Sequence, residues 1–223
     1  MKSDKIEDLQ YSQAGRTDKK VSSSGNVISL KIRVREIDEK NLVRRINSAL
    51  PDDIVFLAYS KVDEGFSARH MPVYREYHYY FFSENYDVQV MERASKLFEG
   101  SHDFRNFCKM KPEYEERGTV REIFFCEVKR AENLWSEYLP VHVFVCWGKG
   151  FLWHQIRCMM NVLKGVGRGQ LDKNVIKEML EVKDPKFKFY HSLEDPENLL
   201  FYNCEFDKKD ADFVYCEENF FSL

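Results

Sequence analysis

Residues 121–166 read REIFFCEVKRAENLWSEYLPVHVFVCWGKGFLWHQIRCMMNVLKGV. The runs REIFFCEVKR and VHVFVCW are rich in β-branched and aromatic residues and read as strands. The ten residues between them are too few for a helical crossover, so the two strands pair antiparallel. After the GKG turn the apolar spacing changes to that of a helix, expected from about Leu152 to Val166, with Trp153, Ile156, Met160 and Leu163 as core.

The same period reading extends outward. NVISLKIRV, residues 26–34, alternates Ile28, Leu30, Ile32 and Val34 against Ser29, Lys31 and Arg33, a half-buried strand. Residues 38–50 place Leu42, Val43, Ile46, Ala49 and Leu50 at helical spacing, and Pro51 ends the pattern. DIVFLAYSKV and YREYHYYFF read as strands, residues 87–99 as a helix closed by Gly100, residues 172–182 as a last helix and LLFYNCEF as a last strand. The order implies an α+β class with two similar lobes, each a mostly antiparallel sheet flanked by helices, and a cleft between them. His70-Met71-Pro72 separates the groups, giving an N-terminal lobe over 1–70 and a C-terminal lobe over 71–223.

Across all 223 residues, 34 Lys plus Arg face 37 Asp plus Glu, a formal charge of −3, which excludes a globally basic histone-like or polybasic membrane binder. No apolar run of about 18 residues exists to span a bilayer, and MKSDKIEDLQ has no apolar signal core. The chain is therefore expected to be soluble and intracellular, without a membrane partner. Six cysteines at irregular intervals with no CxxC point to free buried thiols, and His154 with Cys158 has no second pair to make a metal site.

Polar residues gather in four places. AGRTDKKVSSSG, residues 14–25, sets the Asp18 carboxylate among Arg16, Lys19 and Lys20, between two glycines that permit tight backbone geometry; a charged surface turn is the plain alternative. FSARHMPVYREYHYYFF, residues 66–82, puts Arg75, Tyr77, Tyr79 and Phe81 on one strand face, which suits an unstacked base or a simple core. KGFLWHQIRCMMNVLKGVGRG, residues 149–169, carries His154 and Arg157 three apart on a helix, and GSHDFRNFCKM, residues 100–110, offers His102, Asp103, Arg105 and Lys109 beside Phe104 and Phe107. Cations thus concentrate where aromatics are, as a nucleic-acid surface requires, while the acidic surplus is expected elsewhere, in EDPEN and CEEN.

Three of these segments, in order, resemble the motifs of one family. AGRTDKKVSSSGNVISL resembles the GRTDxGVxAxxQVxxL signature of the TruA-type tRNA pseudouridine synthases, FSARHMPVYREYHYYFF their FxARxxxxxRxYxYxx segment, and FLWHQIRCMM their FLxHQVRxMM motif. HDFRNFCKM and Met159-Met160 look most similar to the eukaryotic branch acting on tRNA positions 38 and 39. The resemblance spans residues from about 11 to 206 and implies isomerisation of uridine to pseudouridine in the anticodon arm, with no metal or organic cofactor. It implies Asp18 as the carboxylate acting at the ribose, Arg157 as its bidentate ion-pair partner and Tyr77 stacked on the target base. It further implies Arg16 in the space left by the extruded base, and RNA contacts from Lys19, Arg75 and His154, with His102, Phe104, Arg105, Lys149 and Lys164 as weaker candidates. The partner is tRNA, a homodimer is possible, and the compartment is cytoplasm, nucleus or both.

Two departures from the family pattern stand out. Lys20 occupies a position where relatives carry glycine, so a positive φ there would strain the Asp18 loop. The chain also starts about where the family's first helix ends, so the first lobe is expected to lack a central strand and to leave a sheet edge unpaired. Two other functions compete: an RNA-binding module of this family without turnover, and a small-molecule N-glycosidase pairing Asp18 with Glu76.

Overall fold

In a computed structural model of the chain, residues 9–32, 39–131, 140–184, 186–187 and 193–215 are described. Val34, Asp38, Cys216 and the CEEN segment lie outside them. The chain divides into two compact units. One is Met1–Gln13, Ile28–Met71 and Phe206–Leu223, and the other is Ala14–Val27 and Pro72–Glu205.

Among its described residues the first unit holds two short antiparallel ladders and a helix. Strand β1 (Ser12–Gln13) pairs with β3 (Ile28–Ser29), β4 (Ala58–Tyr59) pairs with β10 (Val214–Tyr215), and α1 spans Glu39–Asn47. Of the long strand expected over 26–34, the described part, 26–32, forms only Ile28–Ser29, and DIVFLAYSKV contributes only Ala58–Tyr59. Among the described residues each of these strands has one two-residue partner. Leu30, Ile32, Ile54 and Val55 are exposed.

The second unit is built on a six-stranded sheet. Its strands, in chain order, are β2 (Ser22–Ser23), β5 (Tyr74–Phe82), β6 (Gly100–Asp103), β7 (Val120–Arg130), β8 (Val141–Gly148) and β9 (Leu199–Glu205). The spatial order is β2-β9-β5-β8-β7-β6, and every neighbouring pair is antiparallel except β2 with β9. The REIFFCEVKR and VHVFVCW runs thus pair as their short connection requires. Helices α2 (Val88–Ser95), α3 (Glu113–Arg117), α4 (Gln155–Gly167) and α5 (Asn174–Glu181) complete the unit.

The sheet's pleat decides what faces the helices. Tyr79 and Phe81 of β5, Phe144 and Cys146 of β8 and Cys126 of β7 pack with Met91 of α2 and with Ile156, Met160 and Leu163 of α4 in one buried cluster. Burying a side chain of this size stabilises by roughly 1.5–3 kcal/mol, so this cluster fixes α4 firmly on the sheet. The five cysteines among the described residues are buried. No helix among the described residues is long and apolar enough to cross a membrane.

Candidate active site

The Asp18 loop is held on the sheet from several sides. The main-chain N–H of Ala14 reaches the carbonyl of Val27 at 2.8 Å, and the Asn26 side-chain amide makes reciprocal bonds of 3.1 Å with the Gly15 N–H and carbonyl. Arg75 Nε donates to the carbonyl of Ala14 at 2.8 Å. The serine run does the rest. Ser22 and Ser23 pair parallel to Leu200 and Phe201, while Ser23 Oγ and Ser24 Oγ donate to the carbonyls of Phe201 and Tyr202 at 3.1 and 2.8 Å. The glycines at the loop's ends serve close approach rather than turn geometry. A Cβ on Gly15 would lie 2.5 Å from the Phe201 ring, and one on Gly25 would lie 2.5 Å from the Tyr202 carbonyl oxygen.

Within this frame the Asp18 carboxylate meets three groups from the start of α4. Trp153 Nε1 donates to Oδ1 at 3.0 Å, an Arg157 terminal nitrogen donates to Oδ2 at 3.0 Å, and His154 Nε2 lies 3.2 Å from Oδ2. Helix α4 begins at Gln155, later than the spacing suggested, so Leu152, Trp153 and His154 precede it. His154 is the N-cap residue in the left-handed region, φ 65°. It and Arg157 do converge, but through this backbone kink and not through three-residue helical spacing. Lys20 likewise has φ 73°, the positive value for which glycine is suited, and its ammonium pairs with Glu197 at 2.7 Å. Asp18 reaches its partners nonetheless.

The expected bidentate fork is not formed. Arg157 gives one terminal nitrogen to Asp18 and its Nε to the main-chain carbonyl of Glu194 at 2.7 Å. Its side chain is nearly buried, so it is no solvated charge. The Glu194 carboxylate in turn accepts from Lys164, from the Tyr79 hydroxyl at 3.2 Å and from the Asn161 amide at 3.3 Å. Lys164 is therefore engaged inside the fold, with its ammonium also over the Tyr79 ring. Part of the acidic EDPEN segment, expected to lie away from the chemistry, is thus bonded to the arginine that holds Asp18.

Tyr77 packs edge-on to Phe151 and tilted against Phe201, each 5.0 Å between ring centres. Burial above all, with the nearby Asp18 charge adding to it and Arg75 opposing it, raises the Tyr77 phenol well above its ordinary value. It is thus a neutral hydroxyl at physiological pH, able to hold or donate a proton but not to act as a phenolate. Glu76 alternates to the opposite sheet face and bonds His78 at 2.6 Å, which removes it as a second carboxylate beside Asp18.

The remaining candidate residues differ in how far they are committed. Arg16 and Lys19 are exposed and make no side-chain bond among the described residues. Lys149 is exposed with Nζ 3.0 Å from the Pro72 carbonyl, and Arg75 also donates to the Lys149 carbonyl at 2.7 Å. Arg105 is held by Asp103 through Nε and a terminal nitrogen, at 2.9 and 2.7 Å, and His102 Nε2 meets the Glu99 carbonyl at 2.8 Å. Lys109 and Lys111 each set their ammonium 4.5 Å from the Trp153 ring centre. These two cations, Arg157 and, foremost, burial lower the pKa of His154 below the ordinary 6.5, against the opposing pull of Asp18.

A family model described as tRNA pseudouridine synthase matches residues 94–207, about half of the chain. A Methanobrevibacter smithii protein named tRNA pseudouridine synthase A is 33% identical over 223 residues, covering 94% of this chain and 72% of that protein. The chain belongs to the tRNA pseudouridine synthase family. Proteins named tRNA pseudouridine(38/39) synthase from Bos taurus and Saccharomyces cerevisiae are 36% and 33% identical, over 88% and 92% of this chain. The chain spans about half the length of those relatives, 46% and 48%.

For a pseudouridine synthase family member, the residues that sequence reasoning passed over are Trp153, assigned to the core, Lys111, and Glu194, assigned to a remote acidic surplus. One signal was available for Trp153: an indole N–H seldom goes unpartnered in a packed setting, and His154 beside it was already a candidate. Glu194 had none, because its partners Lys164 and Arg157 are about thirty and thirty-seven residues away in sequence.

Proposed function

We propose that this chain isomerises uridine to pseudouridine in the anticodon stem-loop of tRNA, at positions 38 and 39, with Asp18 as the nucleophile or general base at the ribose. The observation that carries the proposal is the Asp18 carboxylate fixed at 3.0 Å by both Arg157 and Trp153, beside the neutral phenol of Tyr77. A single oriented carboxylate suits this reaction. The N1–C1′ bond breaks, the freed uracil re-attaches through C5, the C5 proton leaves to water and N1 gains one. The base must first leave its stack, at a cost of a few kcal/mol. Arg16 and Lys19, exposed and without a side-chain bond among the described residues, would fill the vacated stack and meet phosphate. Tyr77 would hold the ring. Lys149, His102 and His154 are further RNA contacts in this reading, while Arg75 and Arg105 shape the surface through the carbonyls and carboxylate they hold. Named relatives acting at positions 38/39 support the site of modification.

The test is tRNA tritiated at uridine C5. Turnover releases label to water, and the modified positions are then mapped to 38 and 39. A family RNA-binding module without turnover is the second reading, favoured by the strained φ of Lys20; it predicts tRNA binding with no label released. Homodimerisation, checked by light scattering, and residence in cytoplasm or nucleus, checked with a fluorescent fusion, complete the proposal.

A further inference from the structure

We infer that Trp153 is a positioning residue that supplies the second fixed point of the Asp18 carboxylate. The inference rests on the isomerase reading of this site. Arg157 contacts only Oδ2, because its Nε is committed to the Glu194 carbonyl, and His154 approaches the same oxygen. Contacts to one oxygen leave a carboxylate free to swing about its Cβ–Cγ bond. Holding its plane takes a donor to the other oxygen, which a bidentate guanidinium would ordinarily provide. Here the Trp153 indole N–H, 3.0 Å from Oδ1, fills that place.

Trp153 is itself held, by its main chain and over its ring. Its main-chain N–H donates to the Tyr114 hydroxyl at 2.8 Å, its carbonyl accepts from the Lys109 N–H at 3.0 Å, and the ammoniums of Lys109 and Lys111 lie over its ring. An N–H with no titration of its own keeps this second point fixed at every pH at which the fold persists. The donor is also neutral, so it orients Oδ1 without adding a further cation against the oxygen pair.

Trp153→Phe keeps a ring under the two lysines and removes only the donor. Its kcat is expected to fall about 10- to 100-fold while the affinity for tRNA stays within two-fold of wild type. An unchanged kcat, or a loss confined to affinity as a base-stacking role would give, overturns the inference. Wild-type protein that releases no C5 label defeats the isomerase reading instead. A second measurement does not need that variant to fold or the enzyme to turn over. In 15N-labelled protein the Trp153 indole resonance, assigned by elimination with Trp135→Phe and Trp147→Phe, is expected downfield and should move upfield in Asp18→Ala. An indole resonance indifferent to Asp18→Ala overturns the inference.

Discussion

Arg157 touches Asp18 through one nitrogen, 3.0 Å from Oδ2, while its Nε is fixed 2.7 Å from the main chain of Glu194. The guanidinium is thus a bridge between the Asp18 loop and the segment before β9, and the position of Asp18 depends on residues that never approach it.

Glu194 is the first test of that bridge. Removing its carboxylate by Glu194→Ala leaves the Lys164 ammonium, nearly buried, without its charge partner and should cost about 3 kcal/mol in urea unfolding. Glu194→Gln retains acceptance from Tyr79 and Asn161 and should cost clearly less. Equal losses in the two variants would show that the lost charge carries the whole effect and that acceptance from Tyr79 and Asn161 adds nothing.

Lys20 and His154 both hold positive φ, at 73° and 65°. At each position a glycine variant should be more stable than the alanine variant by about 1 kcal/mol, because only glycine enters that region without Cβ strain. The activities should separate the two sites. Lys20→Gly should retain turnover, whereas His154→Gly loses the imidazole beside Asp18 and should slow. Thermal unfolding of the four variants with C5-label release checks both statements, and greater stability of either alanine variant would contradict the strain.

Gly25 lies against main chain and Gly15 against a side chain, so their alanine variants should differ. Gly25→Ala meets the Tyr202 carbonyl, which cannot turn aside, and should cost about 2 kcal/mol and most of the turnover. Gly15→Ala meets the Phe201 ring, which can shift, and should cost less. The reverse order, read from urea midpoints, would place the loop differently on β9.

Acid should weaken the fold through two histidines. Burial, the largest influence on each, lowers the pKa of both His154 and His142 below 6.5. Between the folded and unfolded values the unfolded chain binds protons that the folded one refuses. Their contribution is therefore complete above about pH 6.5 and is lost as pH falls from that value through the lower folded ones. Urea midpoints measured from pH 7.5 to 5.5 should decline for wild type and decline less for His154→Gln and for His142→Gln. An identical slope in His154→Gln would mean that its imidazole is not desolvated.

The sheet of the second unit is legible in the sequence because its strands carry a strong local signal: YREYHYYFF forms β5, Tyr74–Phe82, and VHVFVCW forms β8, Val141–Gly148. Over the described part of NVISLKIRV, residues 26–32, only Ile28–Ser29 is strand, because alternation records which residues could face a layer, not whether one is there. At the site, motif resemblance finds Asp18, Arg157 and His154, and their meeting is real, but its geometry is not legible. A left-handed His154 and a split guanidinium are tertiary facts with no periodic trace. The serines of VSSSG look like an ordinary turn in sequence, and only the fold lays them along β9.

Whether Asp18 performs the chemistry is decided by comparing wild type with Asp18→Asn under saturating tRNA tritiated at uridine C5. The substitution keeps the size and one acceptor oxygen of the side chain and removes its charge. Wild type should release label to water, and Asp18→Asn should release none above background while binding tRNA within a few-fold of wild type. Label released by Asp18→Asn at the wild-type rate would contradict the role given to its carboxylate.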